Sequence, residues 1–182
     1  MSSGPVRLVV LMGVTGCGKS TVGRALAASL RWDFLEGDAF HTPMALSKMV
    51  RGEGLVDADR IPWLHRLADE IQVRVSTGRP SVLACSALKE SYRTILRAAC
   101  PDLLFVHLAG DAERLSERLS RRTGHFADER LLPSQFAALE PCDEALKLDA
   151  FRPVEALVAA VEERLALSPA APAAASERSP AG

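Results

Sequence analysis

The run GVTGCGKS, Gly13–Ser20, constrains this chain more than any other stretch, because it sets glycines, a lysine and a serine between two apolar patterns. VRLVVLM precedes it and reads as a buried strand; TVGRALAASL follows with apolar residues at helical spacing. In that strand–loop–helix setting, the spacing G-x-x-x-x-G-K-[ST] marks a phosphate-binding loop. The glycines let backbone N–H groups turn inward around anionic oxygens, and the helix starting near Lys19 points its positive end at the same place. Lys19 then reaches β- and γ-phosphates, and the Ser20 hydroxyl is placed to ligate Mg²⁺. Gly13, Val14, Thr15, Gly16, Cys17, Gly18, Lys19, Ser20 and Thr21 are therefore the candidate nucleotide site, with a nucleoside triphosphate, ATP, as ligand. A glycine-rich turn without a ligand is the alternative, and the flanking strand and helix patterns argue against it.

At 182 residues the chain suits one domain with a sizeable core. The formal net charge of −1 gives no reason to expect nucleic acid as a partner. The absence of asparagine removes both an N-glycosylation acceptor and the Asn-Lys-x-Asp motif that reads guanine. Cys17, Cys85, Cys100 and Cys142 have neither metal-ligand nor redox-motif spacing, which suits a reduced, cytoplasmic protein. The N-terminal apolar run is too short for a signal or a membrane span, so no membrane association is expected. Residues 168–182 are mostly Pro, Ala and Ser and read as a flexible tail after a single domain over residues 1–167.

Aliphatic runs at Arg7–Met12, Phe34–Leu35, Ser81–Cys85, Leu103–Leu108 and Ala145–Leu148 read as strands. Helix patterns separate or follow them at Lys19–Leu30, Pro43–Val50, Pro62–Ser76, Lys89–Ala98, Ala112–Arg121, Glu129–Leu139 and Pro153–Leu167. This alternation predicts an α/β fold with a parallel sheet covered on both faces. Ligands in such sheets lie at the carboxyl ends of the strands, which gathers GVTGCGKS, EGDAFH and CSALK at one edge.

Asp38, just past the second strand, is placed to hold a substrate hydroxyl, accept its proton, or reach Mg²⁺ through water; a turn or N-cap aspartate is the plainer reading. Lys48 and Arg60, in the charged segment that follows, suit an anionic acceptor. Ser86 follows the third strand, with Lys89 and Arg93 beyond it on one helix face, where a solvent-exposed basic face is the alternative. Arg118, Arg121 and Arg122 precede Thr123-Gly124-His125-Phe126, and an arginine-rich stretch broken by glycine between helices looks like a lid spanning residues 118–139. The competing reading is a helix C-terminus with favoured cations and a glycine stop. Asp111 reads as a helix N-cap.

Taken together, the segments resemble the gluconate kinase family over Leu8–Asp149. The motifs are MGVTGCGKST, GD-x-x-H from Gly37 to His41, KM-x-x-G from Lys48, D-x-D-R-x-P-W-L from Asp57, CSALK-x-x-YR from Cys85, R-x-x-x-R-x-GHF from Arg118 and SQF-x-x-LEP from Ser134. The resemblance implies a P-loop NTPase fold of the nucleoside- and shikimate-kinase type, three layers around a five-stranded sheet of order 2-3-1-4-5. It implies Mg²⁺-dependent transfer from ATP to the 6-hydroxyl of D-gluconate, commonly in a homodimer. It also implies roles: Arg118 and Pro153 against adenine, Arg122 on the phosphates, and Lys19, Asp38 and Arg122 as the catalytic set. His41, Lys48, Arg60, Ser86, Lys89, Arg93, His125 and Gln135 would join Asp38 around the substrate. The chain departs from the family pattern at Glu36 (usually Asp), at Ala45 (often Asn) and by Thr42 between His41 and Pro43, all beside the acceptor segment. A same-fold kinase for another small sugar acid or a shikimate-like acceptor is the alternative, although CSALK stands where shikimate kinases carry a Gly-Gly-Gly run. A nucleotide-dependent regulatory module without an acceptor is the more distant one.

Overall fold

A computed structural model describes residues 6–121 and 126–167, with the side chains of 126–129 excepted. Strands β1 (Leu8–Met12), β2 (Asp33–Glu36), β3 (Ser81–Ala84), β4 (Leu103–Ala109) and β5 (Leu146–Asp149) form one parallel sheet of order β2-β3-β1-β4-β5, as the family resemblance implied. Leu8 of β1 pairs with Ser81 on one side and Leu103 on the other. Central β1 is wholly buried, which is why its sequence is a continuous aliphatic run without alternation.

The pleat sorts neighbouring residues into two cores. Val9, Leu11, Val82, Val106 and Leu108 face helices α1 (Lys19–Leu30), α5 (Ala112–Ser120) and α7 (Val154–Ala166). Leu8, Val10, Met12, Leu83 and Phe105 face α3 (Asp57–Ser76) and α4 (Glu90–Ala99). Helix α3 buries Arg60, Trp63, Leu64, Leu67, Ala68 and Ile71, the i, i+3, i+4 stripe of an amphipathic helix. Asp111 caps α5 by accepting from the Arg114 N–H at 2.9 Å, as expected.

Helix α3 starts at Asp57, ahead of the Pro62 start that the sequence predicts. The Asp59 carboxylate accepts the Val56 N–H at 3.1 Å and, with Asp57, complements the positive helix end. Pro62 then loses only a bond to the Ala58 carbonyl, which sits in the exposed first turn. Two further helices, α2 (Pro43–Val50) and α6 (Phe126–Ala138), lie outside the layers, with α6 packed against α2 and α5. No described helix is long and apolar enough to cross a membrane.

Candidate active site

Strand order reverses at β1, since β3 lies on one side and β4 on the other. The crevice at the carboxyl ends of β1 and β3 is the ligand position in such sheets. Gly13–Gly18 leaves β1 there and hands over to α1. Gly13 adopts φ 135°, and a Cβ at that position would meet the Leu108 carbonyl at 2.8 Å, so the loop's entry needs glycine. Lys19 folds back over the loop, its Nζ donating to the Val14 carbonyl at 2.9 Å. Cys17 is buried, and its Sγ lies within the loop, 3.8 Å from Lys19 Nζ.

Asp38 is delivered by a short 3₁₀ turn, Gly37–Phe40, that follows β2. Gly37 permits this, because a Cβ there would lie 2.4 Å from the Ala84 carbonyl of β3. Asp38 caps no helix, and its side chain is 65% exposed. It lines two adjoining hollows. One contains Gly16, Gly18, Lys19, Ser20, Thr21 and Glu36. The other contains His41, Met49, Arg60, Trp63, Ser86, Leu131 and Gln135. Thr15 and Lys19 border both as well.

The second hollow has a rigid floor. Trp63 donates its Nε1–H to the Gly37 carbonyl at 2.7 Å and stacks on His41 at 4.2 Å between ring centroids. His41 is buried, its Nε2 lies 3.8 Å from Asp38 Oδ1, and its Nδ1 has no hydrogen-bond partner among the described residues. Burial depresses its pKa below the usual 6.5; Asp38 opposes that shift and Arg60 adds to it. Arg60 is also buried, with Nε on the Leu55 carbonyl at 3.3 Å. Ser86 enters from the loop after β3, and its carbonyl accepts the Gly13 N–H at 3.2 Å, tying the two loops together. Cys85, beside it, is fully enclosed and burial pushes its thiol up to about 12, so it is no nucleophile. All four cysteines are free.

His107, on β4, is likewise depressed, by burial first and then by Lys147 and Arg93. Both histidines bind a proton less readily folded than unfolded. As pH falls below 6.5 the unfolded chain therefore takes up protons first, and stability drops until the folded pKa values are passed. The melting temperature is expected to fall between about pH 7 and about pH 5, and His41→Phe, which keeps the stack on Trp63, to remove part of that slope. An unchanged slope in the variant would contradict a buried neutral His41.

Three predicted acceptor residues are paired with groups of the protein itself. Lys48 bonds Asp59 at 2.7 and 2.9 Å, tying α2 to α3. Lys89 bonds Asp57 at 2.8 Å, and the Tyr92 hydroxyl donates to the same carboxylate. Lys48 and Lys89 hold both Asp59 and Asp57 below the usual carboxylate range. Arg93 is neither an exposed base nor a cleft residue, which corrects both readings of it. It is 0% exposed and donates to the carbonyls of Ala87, Leu88, Glu140 and Pro141, with Nε on Glu90 at 3.0 Å. Ala87 has φ 43°, so this guanidinium pins a strained loop that carries Ser86.

Arg118 reaches the phosphate loop, donating to the Gly16 carbonyl at 3.4 Å and to the Ala150 carbonyl at 3.2 Å. Its guanidinium lies 4.5 Å from the centre of the Phe151 ring. With Cys17, Thr21, Val22, Arg152, Val154 and Leu157 it borders a third hollow, and Pro153 sits beside that hollow as the N-cap of α7. Arg122 and His125 lie outside the described residues. Sequence reasoning passed over Trp63 and Phe151 as platforms; the signals were the Pro-Trp pair in the motif from Asp57 and the closeness of Phe151 to Pro153.

Among the described residues no group of three or more His, Cys, Asp or Glu could hold a metal alone. Ser20, Glu36 and Asp38 nevertheless bring oxygen donors to one hollow, which fits an ion such as Mg²⁺ that keeps its waters and shares phosphate oxygens.

A family model described as an AAA domain matches residues 8–142. A gluconokinase of Gluconobacter oxydans is 49% identical over 134 residues, spanning 74% of this chain and 75% of that protein. The thermoresistant gluconokinase of Escherichia coli is 42% identical over 160 residues, spanning 86% and 91%. The solved structure of a sugar kinase from Janibacter sp. HTCC2649 superimposes with a TM-score of 0.84 at 42% identity, covering 91% of this chain and 97% of that one.

Proposed function

Since the chain belongs to the gluconokinase family, we propose that it transfers the γ-phosphoryl group of ATP to the 6-hydroxyl of D-gluconate in the cleft around Asp38. One observation carries this reading: Asp38, Lys19 and Thr15 form a wall common to the phosphate hollow and the second hollow, so a γ-phosphate and an acceptor hydroxyl would meet there.

The phosphate-loop amides and Lys19 bind the β- and γ-phosphates and hold them in line with the hydroxyl. Asp38 orients that hydroxyl and takes its proton as the new O–P bond forms. The bond from the γ-phosphorus to the bridging oxygen breaks, and its electron pair leaves with ADP. Arg60, held by Leu55, receives the sugar-acid carboxylate, for which a planar guanidinium is suited. Ser86, His41 and Gln135 face the hydroxyls of the chain. Adenine would lie in the third hollow, on the face of Arg118 opposite Phe151 and near Pro153. Arg122 and His125 would complete the site from the lid. Mg²⁺, held through Ser20 and the phosphates, would offset their negative charge.

ADP release followed with a panel of aldonic acids and shikimate tests this directly. Turnover is expected to depend on gluconate, and Arg60→Ala to raise the gluconate KM about tenfold or more while leaving the ATP KM nearly unchanged, the effect of losing a charged hydrogen bond. Equal ATP turnover with no sugar acid present would refute the kinase reading, and a preference for shikimate would replace the acceptor.

A further inference from the structure

Helix α6 touches the phosphate loop through one side chain whose contact is costly for a nucleotide kinase. Gln135 Oε1 accepts the Thr15 N–H at 2.7 Å, joining positions 120 residues apart. Thr15 borders both hollows, and Gln135 lines the second one together with Leu131 and Ser134 of the same helix. The amide thus holds a loop donor at the junction of the donor and acceptor sites.

We propose that Gln135 is the positioning residue through which the γ-phosphate and the acceptor sense one another. The backbone donors of this loop are the groups that bind phosphate. A γ-phosphate oxygen is charged, and charge-assisted hydrogen bonds are about twice as strong as neutral ones, so it displaces the Gln135 oxygen from Thr15. A primary amide has a donor as well as an acceptor. Once released, Gln135 turns its Nε2–H₂ toward the phosphate or an acceptor hydroxyl, and α6 stays over the cleft. ADP lacks the γ-phosphate and leaves the Thr15–Gln135 bond in place. Binding of a γ-phosphate and of the sugar acid is therefore linked, and the linkage is reciprocal.

The acceptor half of this inference rests on the gluconokinase reading; the nucleotide half does not. Calorimetric titration of the full chain tests both. In the unaltered protein, gluconate is expected to bind at least about fivefold more tightly beside a non-hydrolysable ATP analogue than beside ADP, at the low end of usual coupling. Gln135→Leu keeps the bulk and removes the amide, and is expected to bring that ratio within about twofold, at an unchanged melting temperature and ADP affinity. Gln135→Glu sets a carboxylate against the γ-phosphate, and is expected to weaken the ATP analogue about tenfold while changing ADP affinity less than about threefold. A coupling ratio preserved in Gln135→Leu, or equal losses for ADP and the ATP analogue in Gln135→Glu, would overturn the proposal. Because the second arm uses nucleotides alone, its result stands even if gluconate proves to be the wrong acceptor.

Discussion

Asp38→Ala is expected to lower kcat by about 10²–10⁴-fold, the range lost when a positioned acid–base group is removed. The affinity for an ATP analogue should stay within about threefold, because the loop amides and Lys19 hold the phosphates without it. Folding should be unaffected: the side chain is 65% exposed and caps no helix, and such surface changes usually stay within about 0.5 kcal/mol. Asp38→Asn, which keeps the shape and loses the basicity, should fall nearly as far as alanine. Steady-state kinetics with gluconate varied, read beside the melting temperature, make the check. A kcat within about threefold of the parent would remove Asp38 from the mechanism.

Arg93→Ala is the largest expected loss of stability. The substitution leaves the buried Ala87 carbonyl unpaired, leaves Leu88 with the Glu140 N–H as its donor, and releases the carbonyls of Glu140 and Pro141, two exposed residues. A buried group left unpaired costs about 1–3 kcal/mol, and with the packing lost from a fully buried side chain a total of about 3–5 kcal/mol is expected. For a domain of this size that corresponds to a melting temperature lower by roughly 6–20 °C. Arg93→Lys should recover little, since one ammonium cannot span carbonyls from two loops. Among molecules that remain folded, the ATP KM should be unchanged and kcat reduced, because Ala87 at φ 43° no longer has the clamp that keeps Ser86 in the cleft. A melting temperature unchanged from the parent would contradict this role.

The two variants separate what was legible in the chain from what was not. Helix α1 begins and ends where the sequence places it, and α2 likewise, because their signals are local: glycine before Lys19, Thr42-Pro43 at the start of α2. The phosphate loop is legible for the same reason, its chemistry being carried by neighbouring residues. Arg93 was misread because spacing assigns a helix face and says nothing of depth. Its burial depends on Glu140 and Pro141, which arrive 47 and 48 residues later. Lys48 and Lys89 look like free cations in sequence, and the start of α3 supplies their carboxylates only once the helices pack.

By itself, then, the sequence determined the donor half of this protein: a strand, a glycine-rich anion loop and a helix whose dipole and lysine face the same phosphates. The alternation of strand and helix patterns likewise determined the parallel layers. The tertiary structure alone decided which charged residues face the cleft. Arg60 and His41 are held at it by a hydrogen bond to the Leu55 carbonyl and by stacking on Trp63, whereas Lys48, Lys89 and Arg93 are paired with groups of the protein itself. The physical reason is that backbone geometry is set by nearest neighbours, while a side chain's partner is set by whatever the fold brings within about 3 Å, near or far along the chain.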